Sequence, residues 1–348
     1  MIYLLAVLTG TAFSLILTPF IRKLALHHQI VDLPNPRKIH STPTPLLGGL
    51  AIFFAFFFST LIFWFAGYIE DSRITQTQVL AILCAGAALM IGGVLDDKFN
   101  LKPAQQIIWP LIAIALMITA GVKIQFVTNP LGGVLEFSSL LGVITASLWI
   151  LGMIYTTKFL DGLDGLVAGI TTIGATIIFI VSLYWDVPLS GTSILSLILA
   201  GSCLGFLVFN WHPAKIFLGE GGSIFCGFML GTLAIISGSK IATALLIMGV
   251  PILDVAWVIV RRIWEGRSPV SADRKHLHFR LLDIGLNHRQ SVIVLYLITI
   301  AFGTTSLWLH SKGKIIALGI LGIFMVLLIT SLVWTYQQKI KNDQATKN

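Results

Sequence analysis

Lys158-Phe159-Leu160-Asp161-Gly162-Leu163-Asp164-Gly165-Leu166 interrupts an apolar stretch that otherwise runs from Leu140 to Tyr184. The flanking runs, Leu140–Thr157 and Leu166–Tyr184, are each close to the roughly 20 residues with which an α-helix crosses a bilayer. An ionised carboxylate at mid-bilayer costs about 2.5–3.5 kcal/mol on insertion scales, so two of them between two spans mark a site at the helix ends. The rest of the chain has the same character. Its 348 residues are 56% hydrophobic and 11% charged, with a mean hydropathy of +0.91, whereas a soluble domain carries about 25% charged residues. The fold class expected is an all-α polytopic integral membrane protein.

Eleven apolar runs read as transmembrane helices: Ile2–Leu24, Leu46–Gly67, Gln78–Leu95, Gln105–Ala120, Leu140–Thr157, Leu166–Tyr184, Thr192–Asn210, Gly222–Ser237, Ile241–Arg261, Gln290–Leu309 and Ile315–Tyr336. The uncharged part of the first run, Ile2 to Phe20, has no positive residues before it and Arg22-Lys23 after it, the pattern of a retained span with its N-terminus outside. With that orientation only Arg73, Lys123, Lys240, Lys312 and Lys314, of 23 lysines and arginines, fall outside. The C-terminus is then cytosolic. The net charge of +8 is mostly this topology signal. It suits anionic lipid and anionic nucleotide at the inner face of the lipid bilayer, and no basic arm suggests nucleic acid. Residues 1–338 read as a single transmembrane domain and 339–348 as a polar, disordered tail. Val122–Phe137 alternates around Asn129-Pro130-Leu131-Gly132-Gly133, which predicts a short external β-hairpin. Cys84, Cys203 and Cys226 lie in apolar runs without metal spacing and read as small buried side chains.

This topology collects Asp96, Asp97, Asp161, Asp164, Glu220, His276 and His278 on the cytosolic side, from four separate segments. Asp161 and Asp164 share one helix face if the sixth span begins there. Their oxygens suit Mg²⁺ or Mn²⁺ better than a softer metal; the bland alternative is a carboxylate at a helix N-terminus. Asp96 and Asp97 diverge by about 100° on a helix, so they divide roles rather than ligate alike. Arg37, Lys38 and His40, in a proline-stiffened loop, offer cationic donors to phosphate. In Asn210–Ser223, Glu220 precedes two glycines at a helix start and Phe217 could stack on a base. Asp273–Arg280 brings His276, His278 and Arg280, which favour phosphate over zinc because no cysteine lies nearby. Asp254, after Pro251 in the ninth span, is either structural or peripheral to the site.

In order, placement and length, these five motifs resemble the polyprenyl-phosphate N-acetylhexosamine-1-phosphate transferases, to about residue 300. The loop from Asp32 to Gly49 and His276-Leu277-His278 look like the branch that starts teichoic-acid linkage units, O-antigen and related glycans. They look less like the phospho-N-acetylmuramoyl-pentapeptide transferases. The resemblance implies a Mg²⁺-dependent enzyme (Mn²⁺ as the alternative) of a bacterial plasma membrane, with its site facing the cytosol. It would transfer N-acetylhexosamine 1-phosphate, of N-acetylglucosamine first, from a UDP-N-acetylhexosamine to a polyprenyl phosphate and release UMP. A homodimer is a possible assembly. Carried over by position, Asp96, Asp97, Asp161 and Asp164 are catalytic, Asp96 deprotonating the lipid phosphate. Asp97, Asp161 and Glu220 hold the metal. Asn210 contacts the nucleoside, Phe217 stacks on uracil, and Arg37, Lys38, His40, Lys158, His276, His278 and Arg280 bind substrate.

Four positions depart from the family pattern. Lys158 replaces an asparagine, Glu220 an aspartate, Phe279 a further histidine, and Gln106 a position that is often basic. Lys158 is expected to supply the charge missing at Gln106. Rival classes are a secondary transporter, disfavoured by acids at span ends and by the lack of a repeat; a CDP-alcohol phosphotransferase, disfavoured by Leu163-Asp164; and a non-catalytic relative. A covalent aspartyl-phosphate route stays open.

Overall fold

The computed structural model describes residues 1–34, 42–71, 74–129, 133–185, 189–238, 240–266 and 276–345. In chain order the elements are α1 (Ile2–His27), β1 (Val31–Asp32), β2 (Thr44–Pro45), α2 (Gly48–Phe65), α3 (Gln76–Phe99), α4 (Pro103–Gln106), α5 (Ile108–Thr119), β3 (Phe126–Thr128) and β4 (Val134–Glu136). They continue with α6 (Ser139–Leu160), α7 (Leu166–Trp185), α8 (Gly191–Asn210), α9 (Gly219–Ile236), α10 (Ile241–Ile247), α11 (Gly249–Trp264), α12 (Leu277–Asp283), α13 (His288–Trp308) and α14 (Ser311–Ala345).

Each of the eleven apolar runs is helical, and the molecule is an all-α polytopic membrane protein. Among the described residues, nine helices are long and apolar enough to cross a bilayer. Two expected spans are not single helices. Ile241–Arg261 breaks at Met248 into α10 and α11, bent by 77°. Pro251 has no N–H for the carbonyl of Ile247, so the helical ladder cannot pass that point. Gln105–Ala120 breaks at Ile107 into α4 and the 12-residue α5, where Pro110 leaves the carbonyl of Gln106 without its helical donor. The last helix, α14, continues past Tyr336 to Ala345, with no proline or glycine to stop it.

The burial pattern is that of a bundle in lipid. For α9, 94% of its apolar window lies inside the protein, and for α8 78%, against 28% for α1 and α14. Leu4, Ile16 and Phe20 of α1 and Ile316, Ile323 and Leu327 of α14 face outward, where a soluble protein would carry charge. Around the central α9, close approach replaces side-chain packing. A Cβ on Gly93 of α3 would stand 2.1 Å from Gly221 Cα, and one on Gly49 of α2 would stand 2.2 Å from Gly222 N. Small residues at such crossings are how helices associate where lipid supplies no hydrophobic drive. Cys203 and Cys226 are buried as expected, but Cys84 is exposed on the surface of α3.

The expected hairpin is present, with β3 and β4 antiparallel in the register Phe126↔Glu136, Val127↔Leu135 and Thr128↔Val134. It lies at the N-terminal end of α6; the Asp161 turn lies at the other. A second small pair, β1 with β2, brackets the loop between α1 and α2.

Candidate active site

Asp161 to Gly165 form the turn between α6 and α7, so Asp161 and Asp164 do not share a helix face. Asp161 caps the end of α6 instead. The turn is a wall of a cavity of about 440 Å³. Asp96, Asp97 and Asn100 reach this cavity from the end of α3, Lys158 from α6, Phe217 from the segment before α9, and Glu220 from the first turn of α9. Asp32 adds a sixth carboxylate, against one lysine. The acidic motifs, distant in sequence, thus meet at one end of the bundle.

Lys158 is the hub of the polar contacts. Its Nζ is 2.5 Å from Glu220 Oε1 and donates to Gln106 Oε1 at 2.8 Å. Gln106 Nε2 in turn donates to Asp96 Oδ1 at 2.9 Å, which also accepts from Leu101 N at 2.8 Å. A continuous chain, Glu220–Lys158–Gln106–Asp96, therefore crosses the floor of the site. Three of its members, Glu220, Lys158 and Gln106, are departures from the family pattern, and the last two account for each other: the ammonium at position 158 leaves position 106 the task of a neutral bridge. Asp97 Oδ1 accepts from Glu220 N at 3.0 Å, so one carboxylate caps the helix that carries the other.

The expected metal ligands Asp97, Asp161 and Glu220 are not drawn together to ligand spacing, since Glu220 is turned to Lys158. Their chemistry nevertheless fits a hard divalent cation. No donor among the described residues reaches the Asp161 carboxylate. Asp161 is open to the cavity on one side and enclosed by protein on the others. That partial enclosure, and then the charges of Glu220, Asp97 and Asp164, push its pKa upward, while water on the open side limits the rise. A cation would relieve the crowding of negative charge.

Asn210 is a brace. Its Oδ1 accepts from Gly165 N at 2.9 Å and its Nδ2 donates to Ile216 O at 2.9 Å, tying the aspartate turn to the segment before α9. Phe217 is held by its backbone, its N–H donating to Pro45 O at 2.8 Å and its carbonyl accepting from Gly48 N at 3.0 Å.

The late histidines lie behind the cavity rather than in it. His276 Nδ1 is 2.9 Å from Asp254 Oδ2, and Leu277 N donates to Asp254 Oδ1 at 2.8 Å, so Asp254 anchors the start of α12. His278 is 1% exposed and backs the aspartate turn: a Cβ on Gly162 would stand 2.2 Å from its Nε2. Burial, reinforced by His276 and His288 and opposed by Asp254, pulls His278 down to about 3. Arg280 sits on α12 and does not line the cavity. Arg37, Lys38 and His40 lie outside the described residues.

Sequence reasoning passed over His212 and His288, which line the cavity beside Asp164. His212 stands within the Asn210–Ser223 motif, and His288 follows Asn287, the first residue of an N-terminal capping box. Neither signal distinguishes a site residue from an ordinary helix start or loop.

Residues 79–238, from α3 to the end of α9, match glycosyl transferase family 4. The chain is 35% identical over 326 residues to a probable undecaprenyl-phosphate N-acetylglucosaminyl 1-phosphate transferase of Bacillus subtilis (strain 168), covering 90% of this chain and 87% of that one. It is 33% identical to the decaprenyl-phosphate N-acetylglucosaminephosphotransferase of Mycolicibacterium smegmatis, covering 88% and 82%. With the undecaprenyl-phosphate alpha-N-acetylglucosaminyl 1-phosphate transferase of Yersinia pestis the identity is 28%, over 79% and 76%.

Proposed function

Because the chain belongs to glycosyl transferase family 4, we propose that it transfers N-acetylglucosamine 1-phosphate from its UDP-sugar to a polyprenyl phosphate, releasing UMP. The names of the relatives support the sugar and the acceptor. The observation that carries the reading is the cavity itself: six carboxylates around one ammonium, at the common end of several spans. An anionic donor and an anionic lipid could meet there.

Phosphoryl transfer asks a protein for alignment and charge neutralisation more than for covalent chemistry. Mg²⁺ or Mn²⁺, held by Asp97, Asp161 and Glu220, would supply neutralising charge at the diphosphate. Asp96 takes the proton of the lipid phosphate. Lys158 offers its ammonium to phosphate oxygens. Phe217 presents a ring to the uracil, and Asn210 holds the aspartate turn beside it. His276 and His278 support that turn from behind. Arg280 and the loop of Arg37, Lys38 and His40 attract the anionic substrates. The uneven placement of basic residues supports a site facing the cytosol of a bacterium, with the N-terminus outside and the C-terminus inside.

The test is to incubate purified protein with UDP-N-acetylglucosamine, polyprenyl phosphate and Mg²⁺ and measure UMP. UMP formation that stops in excess chelator is expected; none with any UDP-N-acetylhexosamine overturns the reading. The Lys158–Glu220 pair favours one alternative, a relative that binds without turnover, since it engages an expected metal ligand. That alternative predicts UDP-sugar binding in the same preparation without UMP.

A further inference from the structure

We propose that Asp164, His212 and His288 form a second cation site, which selects a borderline transition metal of the zinc and cobalt class. It stands apart from the transferase reading, since it needs only these three side chains. Their ligand atoms lie within 4.8 Å of one another, the one such group among the described residues. They come from three separate places: the α6–α7 turn, the segment after α8, and the first residue of α13.

A hydrogen-bonded cluster accounts for two of the three. His212 Nδ1 is 2.7 Å from Asp164 Oδ2, which also accepts from Ala214 N at 3.1 Å. It does not account for His288. That ring stacks on His212 with centroids 4.0 Å apart, and although it faces the backbone of Asp164, neither of its enclosed nitrogens makes a well-formed hydrogen bond. Ring nitrogens shielded from water without a well-formed hydrogen bond are costly, and such groups point to an ion or water that completes them. Here the neighbours choose between the two. Two imidazoles and a carboxylate are the donor set of zinc sites with three protein ligands. Mg²⁺ prefers oxygen, whereas Zn²⁺ and Co²⁺ take imidazole nitrogen.

The backbone is already braced to hold such a site. Arg289 Nε donates to His212 O at 2.9 Å. Asn287 and Gln290 close a capping box around the first turn of α13 and so fix His288. Ligands about 2.0–2.1 Å from a tetrahedral metal stand roughly 3.3 Å apart. The His212–Asp164 hydrogen bond would therefore open by less than an ångström. The proton it carries leaves to solvent as the metal takes its place. All three side chains line the cavity, so an ion held by them would be reached from it.

The experiment uses the full-length protein in detergent. It is stripped with chelator, dialysed against micromolar Zn²⁺ in millimolar Mg²⁺, and its metal counted by mass spectrometry. One Zn²⁺ per chain is expected to survive the Mg²⁺ excess, and Co²⁺ in its place should give the visible absorption of a tetrahedral nitrogen and oxygen site. His288→Ala and His212→Gln should each lose that ion, while Glu220→Gln, in the carboxylate cluster, should keep it. If His288→Ala does not elute as a single species, His288→Gln replaces it. No retained zinc, equal retention by the His288 variants, or a thiolate charge-transfer band assigning the metal to Cys84 overturns the proposal.

Discussion

Lys158 carries the largest consequences of any one side chain here. It neutralises Glu220 and, through Gln106, reaches Asp96. An ammonium in contact with a carboxylate competes with a metal for it and favours phosphate oxygens. Glu220→Gln should therefore weaken Mg²⁺ binding, and Lys158→Ala should raise the KM for the UDP-sugar while strengthening Mg²⁺ binding. A Mg²⁺ titration of both variants beside the parent separates the effects; an unchanged metal requirement in Glu220→Gln would reduce Glu220 to a helix cap. His278 yields a prediction in pH. An ordinary histidine titrates near 6.5, and burial holds His278 neutral down to about 3. Between those values the unfolded chain binds a proton that the folded chain refuses. The stability this contributes is present above 6.5 and is lost as the pH falls toward 3. Thermal unfolding should drop more steeply from about pH 7 to pH 5 in the parent than in His278→Gln. Parallel profiles would mean that His278 is not kept neutral by its burial.

At the scale of elements, the site depends on how closely α2, α3 and α9 approach. Asp97 at the end of α3 reaches the N–H of Glu220 only because Gly93 lies against Gly221 one turn earlier. Gly93→Ala places a methyl where the backbone of α9 already stands, so the helices must separate. Overpacking of this kind costs about 1–3 kcal/mol. The variant should melt earlier in detergent and lose most turnover, although position 93 touches no substrate. Parental stability and rate in Gly93→Ala would show that the crossing is loose. The broken spans belong to the same scale. The end of α11 carries no cavity residue, but Asp254 within it holds His276, so the bend at Met248 sets where α12 lies behind the aspartate turn.

For the whole molecule, the uneven distribution of lysine and arginine predicts which end of the bundle faces the cytosol. Lys98 is exposed at the cavity end and Glu136 on the hairpin at the other. A cysteine at position 136 should react with an impermeant thiol reagent in intact cells, and one at position 98 only after the membrane is opened. The reverse pattern would invert the topology and put the cavity outside. The sequence by itself determined the membrane class, the eleven helical runs, the hairpin and the gathering of the acidic motifs at one end. These follow from hydropathy, run length and charge bias, which are read within some twenty residues at a time. Only the tertiary structure decided that Asp161 and Asp164 occupy a turn, that α10 and α11 part at Met248, and that Asn210 is a brace. It alone also paired Lys158 with Glu220, Asp254 with His276, and His212 with His288. Those pairs join segments far apart in the chain. Which side chain meets which is set by how nearly two helix backbones can approach, and no local pattern of residues contains that distance.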